Sequence, residues 1–300
     1  MDTPRVVALG FFDGVHIGHG ALLRETRAQA DRLGCSAAAM SFDAHPSALL
    51  SDAPAPLLGT MEERARLMRQ LYGMDEVIFE HFDRAMLELP WQTFLDRYLI
   101  EQLHAQYVVC GHDYRFGYRG EGTAALLREA CEKRGIGCSI VPQVMLDGVR
   151  VSSTEIRTLL ERGNAETARR FLGHPHLISG TVEHGQHLGH TLGFPTANIP
   201  FAPGILVPPY GVYCARAELD GQSCPAVVNI GIHPTAGSLP APVLEANLLG
   251  CADDLYGKKL LVWLYKMLRP ERRFASLEAL RAQIASDSDA TRAYFAALEG

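Results

Sequence analysis

The turn that joins an apolar run to a helical pattern near the start of the chain constrains its fold more than any other feature. The run covers residues 6–9 and is typical of a buried strand, and glycines recur through the turn at residues 10–20. Residues 21–30 are mostly good helix formers. The turn therefore brings a helix start, with its unpaired N–H groups and positive dipole end, to the carboxyl end of a strand. Ligands bind at that edge of open α/β sheets, so the turn predicts an anion site.

Two histidines in this turn are placed to contact the anion. Only Ile17 and Gly18 separate His16 from His19, so both imidazoles can donate hydrogen bonds to one phosphate group. Gly18 keeps the gap free of a side chain. A single histidine at a turn is more often an ordinary surface residue, but the density of histidine and glycine here favours a nucleotide-phosphate site.

Composition limits the class of protein. Of 300 residues, 47% are apolar and 21% are charged, which is close to the globular average and sufficient for two domains. The formal net charge of −6 argues against nucleic-acid and anionic-membrane partners. No run is apolar enough to span a bilayer, and residues 1–5 lack the apolar core of a signal peptide. We therefore expect a cytoplasmic enzyme without a membrane partner.

The cysteines do not indicate a disulfide framework. There are seven, an odd number, and no two of them form a Cys-x-x-Cys pair. Scattered thiols of this kind are usually small buried hydrophobic residues, so we expect neither a disulfide nor a metal site from them.

The order of secondary-structure patterns predicts two domains. Strand and helix patterns alternate through residues 1–172, which predicts an α/β domain with a mainly parallel sheet. A break at residues 173–176 follows, and in residues 177–300 short strand patterns divided by turn residues predict a small antiparallel β-barrel. Further expectations are single helices at residues 91–103 and 159–172, a strand at 139–144, and a final helix at 276–300 that packs on the barrel and has Leu277, Leu280 and Ile284 on one face.

Two other strand ends in the first domain carry residues suited to a ligand. His45 follows the strand pattern at residues 36–42, and a loop rich in glycine, arginine and aromatic residues follows the strand pattern at 107–110. Aromatic rings such as Tyr114 and Phe116 can stack on a planar ring, while arginines meet phosphate. A solvated connection with ordinary turn glycines is the alternative.

A helix start and a glycine repeat complete the candidate phosphate contacts. Ser152 and Glu155 match a capping box, with Arg157 one turn further on, although a cap alone is structural.

In the second domain, glycines recur every fourth residue at Gly185, Gly189 and Gly193. Thr196 and Asn198 follow, and their hydroxyl and amide oxygens are ligands that Mg²⁺ accepts beside nucleotide phosphates. This segment could also be a glycine-rich hairpin.

The first turn resembles the nucleotidylyltransferase superfamily. His16, Gly18 and His19 match its His-x-Gly-His motif, and the longer pattern from Gly10 resembles the branch that adenylates FMN. The resemblance implies an α/β domain of the nucleotidylyltransferase type in which His16 and His19 are catalytic. It implies nucleotide contacts from Gly10, Phe12, Asp13, Gly18, Ser152, Ser153, Thr154 and Arg157. It implies flavin contacts from His45, Asp113, Tyr114 and Phe116.

The second half resembles riboflavin kinases. The run Gly193-Phe194-Pro195-Thr196-Ala197-Asn198 is similar to their signature, and the similarity continues through residues 211–213, 229–231, 244–247 and 254–258. It implies that Glu245 is the catalytic carboxylate and that Thr196 and Asn198 hold Mg²⁺. It also implies nucleotide contacts from Gly185, Gly189 and Gly193 and flavin contacts from Tyr256 and Gly257.

Together the resemblances cover nearly the whole chain, which is similar to the bifunctional riboflavin kinase/FMN adenylyltransferase family. They imply that riboflavin and ATP give FMN at the barrel, and that FMN and ATP give FAD and pyrophosphate at the first domain. ATP and flavins would be the small-molecule substrates, and Mg²⁺ the cofactor.

The chain departs from the family pattern mainly in its second half. His190 and His233 stand where the family usually has arginine, Asn247 where it often has histidine, and Gly250-Cys251 where it has Asp-Phe. Phe11 replaces a common asparagine beside the first turn. Neutral histidine lacks the bidentate grip of arginine on phosphate, so two alternatives stay open. One is a divergent relative with an inactive or altered kinase half that acts on another flavin-like or nucleotide substrate, and the other is a non-catalytic flavin- or nucleotide-binding regulator.

Overall fold

The computed structural model of the chain describes residues 3–49, 51, 53–183, 196–233, 241–250 and 255–299. The chain divides into two compact units, Met1–Ser153 and Thr154–Gly300, and each is described by itself. The elements up to the end of the first unit are, in chain order, β1 (Arg5–Leu9), α1 (Ile17–Leu33), β2 (Ser36–Phe42), α2 (Met61–Tyr72), β3 (Glu76–Glu80), α3 (Arg84–Leu87), α4 (Trp91–Thr93), β4 (Ala105–Gly111), β5 (Arg115–Phe116), β6 (Gly122–Thr123), α5 (Ala124–Lys133), β7 (Gly137–Val141), β8 (Met145–Leu146) and β9 (Val149–Arg150).

A parallel sheet forms the centre of the first unit. Its strand order is β3-β2-β1-β4-β7, and Val7 of β1 lies level with Ala38 of β2 and Val108 of β4. The chain adds β2 and β3 on one side of β1 and β4 and β7 on the other, so β1 and β4 mark the point where the strand order reverses. The carboxyl ends at such a point form a ligand-binding crevice. The predicted parallel α/β fold is confirmed, and the turn after β1 lies at this edge.

Two helical segments of the first unit differ in regularity. Thr60 and Glu63 form a capping box at α2, because the N–H of Glu63 donates to Oγ1 of Thr60 and the N–H of Thr60 donates to Oε2 of Glu63. The helix expected at residues 91–103 begins as α4 but continues as a π-helix over Phe94–Gln102. The strand expected at 139–144 is β7, which begins and ends earlier.

The second unit contains the helices and the antiparallel strands that follow. They are α6 (Ser153–Glu161), which begins at the last residue of the first unit, α7 (Ala165–Leu172), β10 (His176–Thr181), β11 (Ala197–Pro200), β12 (Gly211–Leu219), β13 (Gln222–His233), β14 (Ala241–Leu248), β15 (Lys259–Pro270) and α8 (Leu277–Glu299). The single helix expected at residues 159–172 is wrong. Gly163 has φ 72° and separates α6 from α7, and the Asn164 side chain caps α7 by accepting from the N–H of Thr167 at 3.1 Å.

The strands of the second unit form a nearly closed barrel. Their order is β10-β15-β12-β13-β14-β11, and all the pairs are antiparallel. The N–H of Glu183, just after β10, donates to the carbonyl of Asn198 in β11 at 2.9 Å and brings the two ends of the sheet together. Alternate residues such as Ala215, Val228 and Leu244 fill the interior. The predicted antiparallel barrel with a C-terminal helix is confirmed.

Polar side chains dominate the buried face of α8. The stripe predicted from Leu277, Leu280 and Ile284 continues into Asp287, Ser288, Thr291 and Phe295, and only the later part is buried. Leu277 itself is 61% exposed, whereas the expectation that the helix packs on the barrel is confirmed. The helix contacts β12 and β13, and Asp287 accepts from Nη2 of Arg269 at 2.8 Å. A buried ion pair therefore holds this helix where apolar contacts were expected.

Replacing Asp287 with alanine should lower the free energy of unfolding of the second unit by about 3 kcal/mol, because it leaves a largely buried guanidinium without its partner. Urea unfolding followed by Trp263 fluorescence, in a Trp91→Phe background, measures the loss. Asp289→Ala is the matched control, since this carboxylate is exposed and its pair with Arg292 joins neighbouring turns of one helix. Equal stability of the two variants would contradict a structural role for the buried pair.

A second buried group makes the stability of this unit depend on pH. Burial lowers the pKa of His176 to about 3, and the nearby His174 makes a smaller contribution in the same direction. The Nε2 atom of His176 has no hydrogen-bond partner among the described residues. The folded state therefore keeps His176 neutral where the unfolded state binds a proton, at pH values between about 3 and 6.5.

The unfolding free energy of the parent should fall by about 2 kcal/mol between pH 7 and pH 5 through this group alone. A His176→Phe variant should lose correspondingly less over the same range. Urea titrations at the two pH values, read through Trp263 in the Trp91→Phe background, make the comparison. The same pH slope in both proteins would show that His176 does not carry the effect.

Six cysteines lie among the described residues and are free thiols, namely Cys35, Cys110, Cys131, Cys138, Cys214 and Cys224. Cys251 lies outside the described residues.

The described helices include none with the length and apolar character needed to cross a membrane.

Candidate active sites

The turn after β1 holds the start of α1 in a strained but buried geometry. Phe12 has φ 58° and ψ 32°, in the left-handed region that non-glycine residues rarely adopt, and its side chain is fully buried. A Cβ atom on Gly10 would lie 3.0 Å from Cζ of Phe12, so the close approach of that ring favours glycine at position 10. The short 3₁₀ turn Asp13–Val15 then leads into His16, the N-cap of α1.

The two histidines lie against each other at the start of α1. Their rings stack with centroids 3.6 Å apart and planes 12° apart, and the Phe12 ring meets His19 edge-on at 5.3 Å. The Nδ1 atom of His16 accepts from the N–H of His19 at 3.2 Å, so in neutral His16 the proton lies on Nε2. A Cβ atom on Gly18 would lie 3.1 Å from the His16 ring, which explains the small residue between them. The structure brings together the pair that the sequence predicted.

His19 is uncharged at neutral pH. Its pKa lies well below 6.5, mainly because burial disfavours the imidazolium and further because His16 and Arg64 are near. Its Nδ1 atom is buried and has no hydrogen-bond partner among the described residues. A neutral imidazole with one donor nitrogen can hydrogen-bond to a phosphate oxygen without transferring a proton to it.

The second predicted phosphate motif reaches this turn through one hydroxyl. Oγ of Ser153 donates to the main-chain carbonyl of Asp13 at 3.0 Å. The Asp13 carboxylate is buried and accepts from the N–H of Leu58 at 2.7 Å. Ser152 immediately precedes α6, and Thr154 and Arg157 belong to that helix. Two segments far apart in the sequence therefore meet at the turn, and the Asp13 carboxylate fixes a neighbouring loop.

An apolar cavity of about 640 Å³ lies beside the turn. Gly10 and Phe11 form part of its wall, so the phosphate turn and the cavity share a boundary. The other lining residues are mostly aromatic or apolar, with two arginines, and they include Phe42, His45, Phe82, Met86, Leu89, Phe94, Tyr114, Arg115, Phe116, Tyr118 and Arg119. A cavity of this size lined by rings can hold a planar aromatic ligand.

Three of the four flavin contacts predicted in the first half of the chain line this cavity. Tyr114 and Phe116 stack with centroids 5.4 Å apart, and the exposed His45 ring meets Phe11 edge-on at 4.7 Å. Asp113 is not among the lining residues and forms an ion pair with Arg150. The aromatic residues of the loop after β4 therefore face the ligand space, whereas its carboxylate does not.

Sequence reasoning missed Arg64, a buried cation on α2 behind the shared wall. Its side chain is 1% exposed, and Nη1 donates to the carbonyl of Phe11 at 2.7 Å. Arg64 lies three residues before the buried Leu67 and four before the buried Met68, so its charge falls on the apolar stripe of the helix. A charged residue within an apolar stripe is the sequence signal that could have identified it.

A row of polar side chains crosses the outer face of the barrel in the second unit. Glu245 of β14 lies level with Asn198 of β11 on one side and with Asn229 of β13 on the other. Leu244 and Ala246 belong to the interior cluster, so Glu245 points to the opposite, outer face. The strand register thus places a predicted metal ligand beside the predicted catalytic carboxylate, and it adds Asn229, to which sequence reasoning gave no role.

The predicted flavin turn lies at the same end of the barrel. The N–H of Gly257 donates to the carbonyl of Val182 at 3.0 Å, and the next residue, Glu183, is bonded to Asn198. Tyr256 is 38% exposed, and Gly257 has φ 72°, a conformation that favours glycine. Thr196 immediately precedes β11. The predicted nucleotide contacts Gly185, Gly189 and Gly193 lie outside the described residues.

Comparison with known proteins assigns the two halves separately. A family profile described as FAD synthetase matches residues 1–155, and one described as riboflavin kinase matches residues 172–295. The chain is 37% identical to a bifunctional riboflavin kinase/FMN adenylyltransferase of Listeria monocytogenes, covering 99% of this chain and 95% of that protein. It is 38% identical to a protein of the same description from Escherichia coli K12, covering 97% of this chain and 92% of that protein.

A solved structure has the same fold over almost the whole length. A crystal structure of a Streptococcus pneumoniae protein described as a macrolide-efflux protein matches with a TM-score of 0.85 and 29% identity, covering 97% of this chain and 95% of that one. Family profiles, full-length relatives and fold agree on both halves. The chain therefore belongs to the family of bifunctional riboflavin kinases/FMN adenylyltransferases.

Proposed function

We propose that the two activities of this family are divided between the two units, with FMN adenylation at the turn before α1 and riboflavin phosphorylation on the outer face of β14. The observation that carries the proposal is the stacked pair of His16 and His19 at a helix start, with an aromatic cavity of about 640 Å³ next to it. An anion site beside a site for a planar ring matches FMN, which has both groups. The comparisons favour neither the divergent relative nor the non-catalytic regulator.

In the adenylation step, a phosphate oxygen of FMN attacks the α-phosphorus of ATP. An oxygen–phosphorus bond forms, the bond between the α-phosphorus and its bridging oxygen to the β-phosphorus breaks, and pyrophosphate leaves. Neutral His19 and the donor nitrogen of His16 would hydrogen-bond to the oxygens on which charge increases. The N-terminal N–H groups of α1 would add to the same field, and Tyr114 and Phe116 would hold the flavin ring.

In the phosphorylation step, the terminal ribityl hydroxyl of riboflavin attacks the γ-phosphorus of ATP. Glu245 would accept the hydroxyl proton as the new oxygen–phosphorus bond forms and the bond to ADP breaks. Its place between Asn198 and Asn229 puts amide groups on both sides of the carboxylate, where they can orient substrate groups. Tyr256 and Gly257 would contact the flavin.

The residues beside Glu245 fit a magnesium ion. Asn198 and Thr196 offer neutral oxygen donors, and the neighbouring carboxylate adds negative charge. No group of three or more His, Cys, Asp or Glu among the described residues is arranged to hold a metal, so the ion would depend on phosphate oxygens for the rest of its shell. When bound with ATP, Mg²⁺ neutralises charge on the phosphates.

The proposal also covers the domain bounds, the cellular compartment and the partners of the chain. We place the domains at residues 1–172 and 177–300, which is supported by the start of the riboflavin kinase match at residue 172. We also propose that the chain works in the cytoplasm on ATP and flavins, and its net charge of −6 argues against nucleic acid and anionic membranes as partners.

Separation of flavin products by chromatography tests the proposal. The pure chain is incubated with ATP and Mg²⁺, in one reaction with riboflavin and in a second with FMN. We expect FMN and FAD from the first reaction and FAD from the second. Formation of FAD from FMN without any product from riboflavin would contradict a working kinase half, and absence of both products would contradict the proposal as a whole.

A further inference from the structure

Arg64 lies behind the wall that separates the phosphate turn from the aromatic cavity. Besides its bond to Phe11, its Nη1 atom donates to Oγ of Ser41 at 3.0 Å, and Nη2 donates to the carbonyl of Phe42 at 3.1 Å. Phe11 follows β1 and Phe42 ends β2, so one guanidinium joins the carboxyl ends of two neighbouring strands. Oγ of Ser41 itself donates to the Phe11 carbonyl at 2.8 Å and closes the same network.

The guanidinium also fixes the ring of Phe11. Its central carbon lies 4.4 Å from the centroid of the Phe11 ring and 4.9 Å from that of Phe79. His45 meets the same Phe11 ring at 4.7 Å with the planes 82° apart. Phe11 is thus held by Arg64 and His45, and both Phe11 and His45 line the cavity.

Neutral groups rather than a counter-ion surround the guanidinium of Arg64. All three hydrogen-bond acceptors are neutral, no carboxylate among the described residues pairs directly with Arg64, and its Nε atom is buried without a partner there. Burial lowers its pKa to about 10, against the opposing influence of Asp13 and Asp43, so it is still charged at neutral pH. The fork of Arg64 therefore does not balance a neighbouring charge; it ties the Phe11 and Phe42 carbonyls together and fixes the place of Phe11.

Building on the proposed function, we propose that Arg64 is a positioning residue for adenylyl transfer that sets the place of the flavin relative to the phosphate turn. It does so through Phe11, whose carbonyl it binds and whose ring it holds against the cavity. Because the fork of an arginine reaches three acceptors at fixed angles, lysine keeps the charge but not the arrangement. A displacement of about 1 Å between reacting groups costs up to about 10²-fold in rate.

A double-mutant cycle on the full chain tests the proposal. The variants are Arg64→Lys, Phe11→Leu and the combination, and Arg69→Lys is the matched control on the exposed side of the same helix. Steady-state FAD formation gives KM for FMN and kcat separately, and riboflavin phosphorylation by the second unit serves as the internal reference. We expect each single variant to lower kcat/KM for FMN about 10-fold, mainly through kcat, because a misplaced flavin reacts more slowly. The double variant should lie within about 3-fold of the single variants, because both substitutions act through the same ring.

Several outcomes would overturn the proposal. Multiplicative effects of the two substitutions would show that Arg64 does not act through Phe11. An unchanged kcat/KM for FMN in Arg64→Lys, with a parent that makes FAD, would reject the positioning role and leave the proposed function intact. If thermal unfolding shows that Arg64→Lys does not fold, Phe11→Leu decides, and a parental kcat/KM there rejects the proposal. A parent that forms no FAD rejects the proposed function, and this inference with it.

Discussion

Replacing His19 with alanine is expected to lower the rate of FAD formation from FMN about 10²–10³-fold, which is the usual cost of one lost donor to a developing negative charge. The imidazole is neutral, stacked on His16 at 3.6 Å and held edge-on by Phe12, so alanine removes both a donor and the support of its partner. FMN formation from riboflavin should stay at the parental level, because that step is assigned to the other unit. Product chromatography with each substrate in turn measures both rates.

A matched histidine variant separates the site effect from a general one. His104 precedes β4 at the end of the sheet opposite the ligand edge, and it has φ 52°, a conformation that asparagine tolerates. His104→Asn should therefore leave both rates unchanged. Equal loss of FAD and FMN formation in a folded His19→Ala protein would contradict two separate sites.

Replacing Glu245 with glutamine is expected to lower riboflavin phosphorylation about 10²–10⁴-fold, the usual contribution of a positioned general base. Glutamine has nearly the same shape and keeps the row with Asn198 and Asn229, so the change tests the proton acceptor rather than the packing. Adenylation of supplied FMN should be unaffected. The measurement is the initial rate of FMN formation from riboflavin and ATP, with FAD formation from FMN recorded in parallel.

An exposed carboxylate of the same unit provides the control for this substitution. Glu278 lies in the first turn of α8, and Glu278→Gln should leave both rates at the parental level. At higher pH, hydroxide can accept the hydroxyl proton in place of the missing carboxylate. The phosphorylation rate of Glu245→Gln should therefore recover in part as the pH rises. A parental phosphorylation rate in Glu245→Gln would exclude this carboxylate as the base.

The first site could be predicted largely because its signals are local. The order of strand, glycine turn and helix lies within residues 5–33, and His16 and His19 are close because one turn of helix separates them. The loop with Tyr114 and Phe116 follows a strand that the same parallel sheet brings to the same edge. Residues a few positions apart, or at equivalent strand ends, can be placed from periodicity alone.

Other details differ from the prediction because distant contacts overrode a local pattern. The face with Leu277, Leu280 and Ile284 predicted a helix that packs on the barrel, and α8 does so. Its buried part is nevertheless held through Asp287, whose partner Arg269 comes from β15. Residues 159–172 read as one helix, but Gly163 turns the chain, and a Cβ atom there would lie 2.6 Å from Sδ of Met267. Neither partner lies within the segment from which the prediction was made.

The sequence by itself determined the two-domain order, the parallel sheet and barrel, and the histidine pair, because each follows from short-range periodicity or from a motif. Tertiary structure decided which distant residues share a site. It placed Arg64 behind Phe11, the Ser153 hydroxyl on Asp13, and Asn198 and Asn229 on either side of Glu245. Such contacts depend on strand register and on helix packing between segments tens of residues apart, and a change of one residue in register would turn Glu245 to the opposite face of the sheet.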